Sequence, residues 1–274
     1  MLGHYLETVK QTTPLIHNIT NYVTVNDCAN VLLACGASPI MSDELLEVEE
    51  ITTICGGLNL NIGTLNERTI PAMFAAGKKA TQLDHPILLD PVGAGASALR
   101  TKTACDLINS LNISVIRGNI SEIKTLALGS QTTQGVDANL CDLVTDENLD
   151  SVISFVRTFS KQTQAIIAIT GAIDIVSDEH CTYIIRNGHS MMSTITGTGC
   201  MLSAMTSAYL VANKNHPLEA TVAAVCAMGL AGQIAHAKTI QHQGGTASFK
   251  TFLIDTLSNL TPQDLDQGAH YEIR

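Results

Sequence analysis

Short, nearly all-apolar runs alternate along this chain with longer stretches in which apolar residues recur at helical spacing. The runs are Ser38-Pro39-Ile40-Met41, Leu58-Asn59-Leu60-Asn61-Ile62, Pro86-Ile87-Leu88-Leu89-Asp90, Ile113-Ser114-Val115-Ile116-Arg117, residues 165–170 and Cys181-Thr182-Tyr183-Ile184-Ile185. Continuous apolarity suits strands covered on both faces, and parallel strands need helical crossovers. Helices are predicted over 23–34, stopping at Gly36, over 67–79, and from His216-Pro217 onward, where proline suits a first turn. The pattern predicts an α/β fold with a mostly parallel central sheet flanked by helices. No repeat or linker breaks it, so residues 1–274 read as a single domain, with the polar stretch 130–139 as a surface excursion.

Several chemistry-bearing motifs fall just after predicted strands. Asp90-Pro91-Val92-Gly93-Ala94-Gly95 follows one, Arg117-Gly118-Asn119-Ile120-Ser121-Glu122 another, and Thr170-Gly171 ends a third. In open α/β sheets ligands collect at the carboxyl edge, so these segments are expected to meet there. Thr196-Gly197-Thr198-Gly199-Cys200 precedes an Ala/Leu/Met-rich helical pattern. Glycines let successive N–H groups converge, and a helix start adds positive potential, so Gly197 and Gly199 are expected to frame an anion hole.

Asp90 and Glu122 are the metal candidates, because Mg²⁺ prefers hard oxygen donors and keeps several waters. Asp90 also fits an Asx turn before Pro91, and Glu122 a first-turn helix charge. Asn119 stands three residues before Glu122 and suits the cap of that helix. Arg117 offers a planar fork of donors to phosphate, or else a surface ion pair. The Thr170 hydroxyl reads as a phosphate donor, or as part of a plain turn.

Composition narrows the partners. A formal charge of −10 without a basic run removes the footprint of nucleic-acid binding. The longest apolar stretch, 222–232, is short for a membrane span and reads as a buried helix, and no secretory leader pattern opens the chain; a cytoplasmic protein is expected. The 8 cysteines are dispersed without a CxxC pair, and no histidine spacing suggests zinc. The glycine motif lacks the third glycine of a dinucleotide fingerprint, and Gly77-Lys78-Lys79 is not a P-loop.

In order along the chain, residues 14–26, 36–41, 90–95, 117–122 and 196–202 resemble the hydroxyethylthiazole kinase family of the ribokinase-like superfamily. The resemblance implies ATP-dependent phosphorylation of 4-methyl-5-(2-hydroxyethyl)thiazole in thiamine salvage, Mg²⁺ dependence, and a homotrimer with active sites between subunits. It also implies that Met41 and Gly197 contact the thiazole, with Asn21 and Asn26 on the same side. Arg117 and Thr170 would contact ATP, joined by Asn119.

Cys200 stands where the resemblance to the wider superfamily implies an aspartate base. A thiol near pKa 8.5, helped by a helix start, is a conceivable base. A loose phosphoryl transfer reduces the need for one, so Gly197 is expected to matter more than the thiol. A nucleotide-dependent dehydratase of hydrated nicotinamide cofactors, a silent binding module and a hydroxymethylpyrimidine kinase are the rival readings.

Overall fold

The computed structural model describes residues 1–129 and 143–274; the polar stretch 130–139 and Cys141 lie outside the described residues. Its strands are β1 (Leu15–Ile19), β2 (Ser38–Met41), β3 (Gly57–Asn61), β4 (Ile87–Asp90), β5 (Val115–Gly118), β6 (Ile166–Ile169), β7 (Asp174–Ser177), β8 (Thr182–Ile185) and β9 (Tyr271–Ile273). They form one sheet in the order β2-β1-β3-β4-β5-β6-β7-β8-β9. The pairings from β2 through β6 are parallel, and β7, β8 and β9 add an antiparallel extension.

The helices are α1 (Gly3–Thr12), α2 (Val25–Cys35), α3 (Val48–Ile54), α4 (Thr69–Gln82), α5 (Ala98–Ser110), α6 (Ile120–Gly129), α7 (Leu149–Thr163), α8 (Thr198–Ala212), α9 (Pro217–Gln241), α10 (Thr246–Asn259) and α11 (Pro262–Gly268). They divide between the two faces of the sheet. Leu88, Val115, Ala168 and Val176 point into one core with α1, α2, α8, α9 and α10, whereas Leu89, Ile116, Ile167 and Ile175 point into the other with α4 to α7. Successive strand residues face opposite sides, so a strand buried on both is largely apolar, with any polar residue in it, such as Asn59 and Asn61 of β3, hydrogen-bonded inside the fold. That is why the apolar runs marked the central strands.

Helices α8 and α9 sit inside the larger core. Residues 201–210 of α8 are all buried, Ser203, Thr206 and Ser207 included, so its pattern has no solvent-facing stripe. By length and composition α9 could cross a membrane, yet 78% of its apolar window is buried in the fold. Both behave as helices that are hydrophobic all round because protein surrounds them.

Three strands escape the apolar criterion. β1 carries the buried polar pair His17 and Asn18, β7 opens on Asp174, and β9 is a short edge strand. In β1 the polar groups are satisfied internally: His17 Nε2 reaches the Ser42 carbonyl and Nδ1 the Thr52 hydroxyl, each at 2.9 Å. Asn59 Nδ2 donates to Asn18 Oδ1 at 3.0 Å.

Candidate active site

Because β1 to β6 run parallel, their carboxyl ends bring Asn18, Met41, Asn61, Asp90, Arg117 and Thr170 to one edge of the sheet. The first turns of α8 lie over the middle of that edge. Ser203 Oγ donates to Asp90 Oδ2 at 2.7 Å, and the Asn61 amide reaches both Asp90 Oδ2 at 2.9 Å and Cys200 Sγ at 3.3 Å.

Asp90 has no exposed surface. Burial raises its carboxyl pKa, opposed by Arg117 and by the Ser203 and Asn61 hydrogen bonds, while the nearby Glu122 charge pushes in the same direction as burial. Oδ2 collects all of those bonds; Oδ1 is buried without a partner. No bond closes onto the following backbone, so the Asx-turn reading of Asp90 is overturned.

Arg117 is no surface ion pair. Its side chain is 12% exposed, with Nη1 3.4 Å from Asp90 Oδ2 and Nη2 donating to the Thr170 hydroxyl at 2.5 Å. The guanidinium packs on Gly199 at the start of α8. That helix begins without a side-chain cap, behind Gly197 at φ +93°. Its leading N–H groups have no intrahelical acceptors, and the dipole adds partial positive charge. A cavity of about 570 Å³ opens beside them, bounded by Arg117, Thr170, Asp174, His189, Met228 and Gly199 among others.

Asn119 and Glu122 form a reciprocal cap on α6: Asn119 Oδ1 accepts the Glu122 N–H, and Glu122 Oε2 accepts the Asn119 N–H, both at 2.9 Å. Glu122 Oε1 accepts the Gly93 N–H at 2.8 Å, which ties the turn after β4 to α6. Arg100 holds the same turn from α5, donating to Val92 O at 3.2 Å and Gly63 O at 2.7 Å.

The donor set suits a hard divalent cation. Two carboxylates stand close enough for one to shift the other, and one buried carboxylate oxygen lacks a partner. Among the described residues no group of three or more His, Cys, Asp or Glu forms a closed cage. Mg²⁺ needs none, since waters and substrate phosphates complete its shell.

The substrate-side candidates divide. Asn21 is buried in the cluster, donating to Asn61 Oδ1 at 3.0 Å and Cys200 Sγ at 3.2 Å. Gly197 packs against Thr24, whose Cγ2 would lie 2.8 Å from an added Cβ. Met41 is half-buried on the strand beside Asn18. Asn26 stands apart: it is exposed, and its oxygens accept from Asn30 one turn along α2.

Sequence reasoning missed Asn61, Ser203, Arg100 and Asp174. Asn61 was visible as the end of a strand, the same sheet-edge rule that selected Asp90. Ser203 carried no signal, because only the seating of α8 on β4 aims its hydroxyl at Asp90. Asp174 lines the cavity and accepts the Gly171 N–H at 2.8 Å, and burial pushes its carboxyl up to about 7.

Comparison with known proteins identifies the family and the fold. Residues 6–263 match the model of the "Hydroxyethylthiazole kinase family". The chain is 60% identical over 99% of both sequences to a hydroxyethylthiazole kinase of Clostridium acetobutylicum, and 47% identical to one of Clostridium beijerinckii over 97% of this chain and 95% of the relative. A solved hydroxyethylthiazole kinase from Pyrococcus horikoshii superposes with a TM-score of 0.87 at 32% identity, covering 100% of this chain and 98% of that one. The pyridoxal kinase of Staphylococcus aureus, at 17% identity, 80% coverage of this chain, 87% of that chain and a TM-score of 0.57, shares the fold. With the family model matching most of its length and relatives at up to 60% identity over nearly the whole chain, the chain belongs to the hydroxyethylthiazole kinase family.

Proposed function

We propose that the protein transfers the γ-phosphoryl group of ATP to the hydroxyl of 4-methyl-5-(2-hydroxyethyl)thiazole, serving thiamine salvage. Family membership supports the chemistry, and one observation carries the placement: the Arg117 guanidinium lies on Gly199, at the uncapped start of α8. A cation and a row of free N–H groups thereby face one point, which suits a phosphoryl group gaining charge in transit.

ATP fills the cavity beside Arg117 and Thr170, its phosphates toward the α8 start, with Asn119 at the rim. Asp90 and Glu122 would hold Mg²⁺, directly or through water, and the ion would supply positive charge to offset that of the phosphates. Gly197, Met41 and Asn21 form the thiazole side, so donor and acceptor approach from opposite sides of Gly199 for direct in-line transfer. Positioning and charge do most of the work in a loose transition state. Cys200 borders the acceptor without having to act as a strong base.

Exposed Tyr22, Val23, Leu45 and Leu46, at 76%, 56%, 46% and 90% exposure, flank the thiazole side. We read them as covered by sister subunits of a homotrimer, with Asn26 reaching a neighbour's site, and we place the enzyme in the cytoplasm. The test is Mg²⁺-dependent formation of the thiazole phosphate by purified protein, read by mass spectrometry beside hydroxymethylpyrimidine and no-acceptor controls. Thiazole-selective product supports the reading. Folded, ATP-binding protein that makes no acceptor-dependent product overturns it.

A further inference from the structure

Asn21 turns its Oδ1 toward the Thr24 N–H and hydroxyl, at 3.2 and 3.0 Å. Its Nδ2 therefore faces away from them and donates to Asn61 Oδ1 and to Cys200 Sγ. Asn61 Oδ1 also accepts the Gly63 N–H at 2.9 Å, which leaves its Nδ2 for Asp90 Oδ2 and Cys200 Sγ. Neither amide can flip without losing these partners, so both donor assignments follow from the network. The Cys200 sulfur meets two N–H donors and is the acceptor in both contacts. Those are its only hydrogen bonds among the described residues, and Cys200 is half-buried, so it is not sealed inside the core.

We infer that Asn61, together with Asn21, is a positioning residue for phosphoryl transfer: the two amides hold the Cys200 sulfur as a hydrogen-bond acceptor and tie it to Asp90. This rests on the kinase reading above. So held, the sulfur has its lone pairs engaged by the two amides, and its own S–H is left to donate to the substrate hydroxyl and turn that oxygen toward the γ-phosphorus. Asn61 joins the acceptor side to the buried carboxylate on the phosphate side, because one amide nitrogen serves both. A mere packing role would not require both of its hydrogens to be aimed at functional atoms.

A double-mutant cycle tests it. Asn61→Ala should lower kcat about tenfold when Cys200 is present and less than about twofold in a Cys200→Ala background, with KM for ATP unchanged, because residues acting as a unit are non-additive. Equal losses in the two backgrounds would overturn the inference.

A second readout needs no turnover, and so separates failure of this inference from failure of the kinase reading. Asn61→Leu keeps the volume but removes both N–H donors, so the reactive thiolate loses a hydrogen bond that stabilises it. Iodoacetamide labelling of the Cys200 peptide, followed by mass spectrometry, should slow several-fold. Unchanged or faster labelling overturns the inference. Should the Asn61 variants fail to fold, Asn21→Ala and Asn21→Leu carry the same two measurements.

Discussion

The Arg117 guanidinium fills the space that a side chain at position 199 would need. A Cβ on Gly199 would stand 2.6 Å from Nη1 and 2.8 Å from Nη2. Arg117 cannot swing freely aside, since Asp90 and Thr170 hold it. Gly199→Ala should therefore raise KM for ATP about tenfold, a loss of about 1.4 kcal/mol of binding, while the thermal midpoint changes little. Isothermal titration with a non-hydrolysable ATP analogue checks it; unchanged affinity would separate Arg117 from the nucleotide.

Gly197 is constrained twice, by its φ of +93° and by Thr24 at 2.8 Å from a would-be Cβ. A non-glycine residue in that conformation costs roughly 1–2 kcal/mol before any clash. Gly197→Ala should lower kcat/KM for the thiazole alcohol by about a hundredfold and also lower the melting temperature. Full activity at a lowered melting temperature would show that the glycine serves folding alone.

Cys200→Ala should retain measurable turnover, and Cys200→Asp should equal or exceed the native enzyme, because loose transfer asks for orientation before deprotonation. Steady-state kinetics on folded, ATP-binding variants decides. Complete loss in Cys200→Ala would make the thiol indispensable.

Asp174 supplies a pH dependence whose sign can be worked out. Its carboxyl is pushed from 3.8 to about 7 by burial, against the Gly171 N–H and the Arg117 charge. The folded state thus holds a proton that the unfolded chain releases near pH 3.8. Its contribution to stability is full below that value, falls as pH rises, and is gone once pH has passed about 7. Asp174→Asn should flatten the melting temperature across this window. The charged form, facing a cavity that it shares with Arg117 and Arg186, should also raise KM for ATP above pH 7, and the variant should lose that rise. Parallel pH profiles for native and variant proteins would remove Asp174 from both roles.

Arg100 links two turns through Val92 O and Gly63 O, without a carboxylate partner among the described residues. Arg100→Met should leave KM for the thiazole alcohol unchanged and raise the Mg²⁺ concentration for half-maximal rate several-fold, because the Glu122-bound turn at Gly93 loosens. An unaltered Mg²⁺ response would show that the α6 contacts hold that turn alone.

What the sequence revealed follows a physical division. Strands buried on both faces are largely apolar, so β3 to β6 and β8 stood out along the chain, as did the edge strand β2. β1 did not, because His17 and Asn18 satisfy their polar groups inside the fold. The sheet-edge rule located Asp90, Arg117 and Thr170 but could not tell which atom meets which. The Arg117–Asp90 pair and the Ser203–Asp90 bond depend on how α8 lands on the sheet, and no local pattern encodes that landing. Asn26 shows a different limit: it is part of the 14–26 motif, yet α2 turns it outward, away from the other residues of this chain's site, and no local pattern tells which way a helix will face it.

The strand order sorts the edge into two territories. Asn18, Met41, Asn21 and Asn61 come from β1 to β3 and their loops, while Asp90, Glu122, Arg117 and Thr170 come from β4 to β6 and beyond. The Asn61–Asp90 hydrogen bond is the seam between them. On the proposed reading, substitutions in β1 to β3 and their loops retune the pocket toward other small alcohols while Asp90, Glu122 and Arg117 keep their places, provided that an amide stays at that seam and the pocket still fits Gly197 and Cys200 at the start of α8.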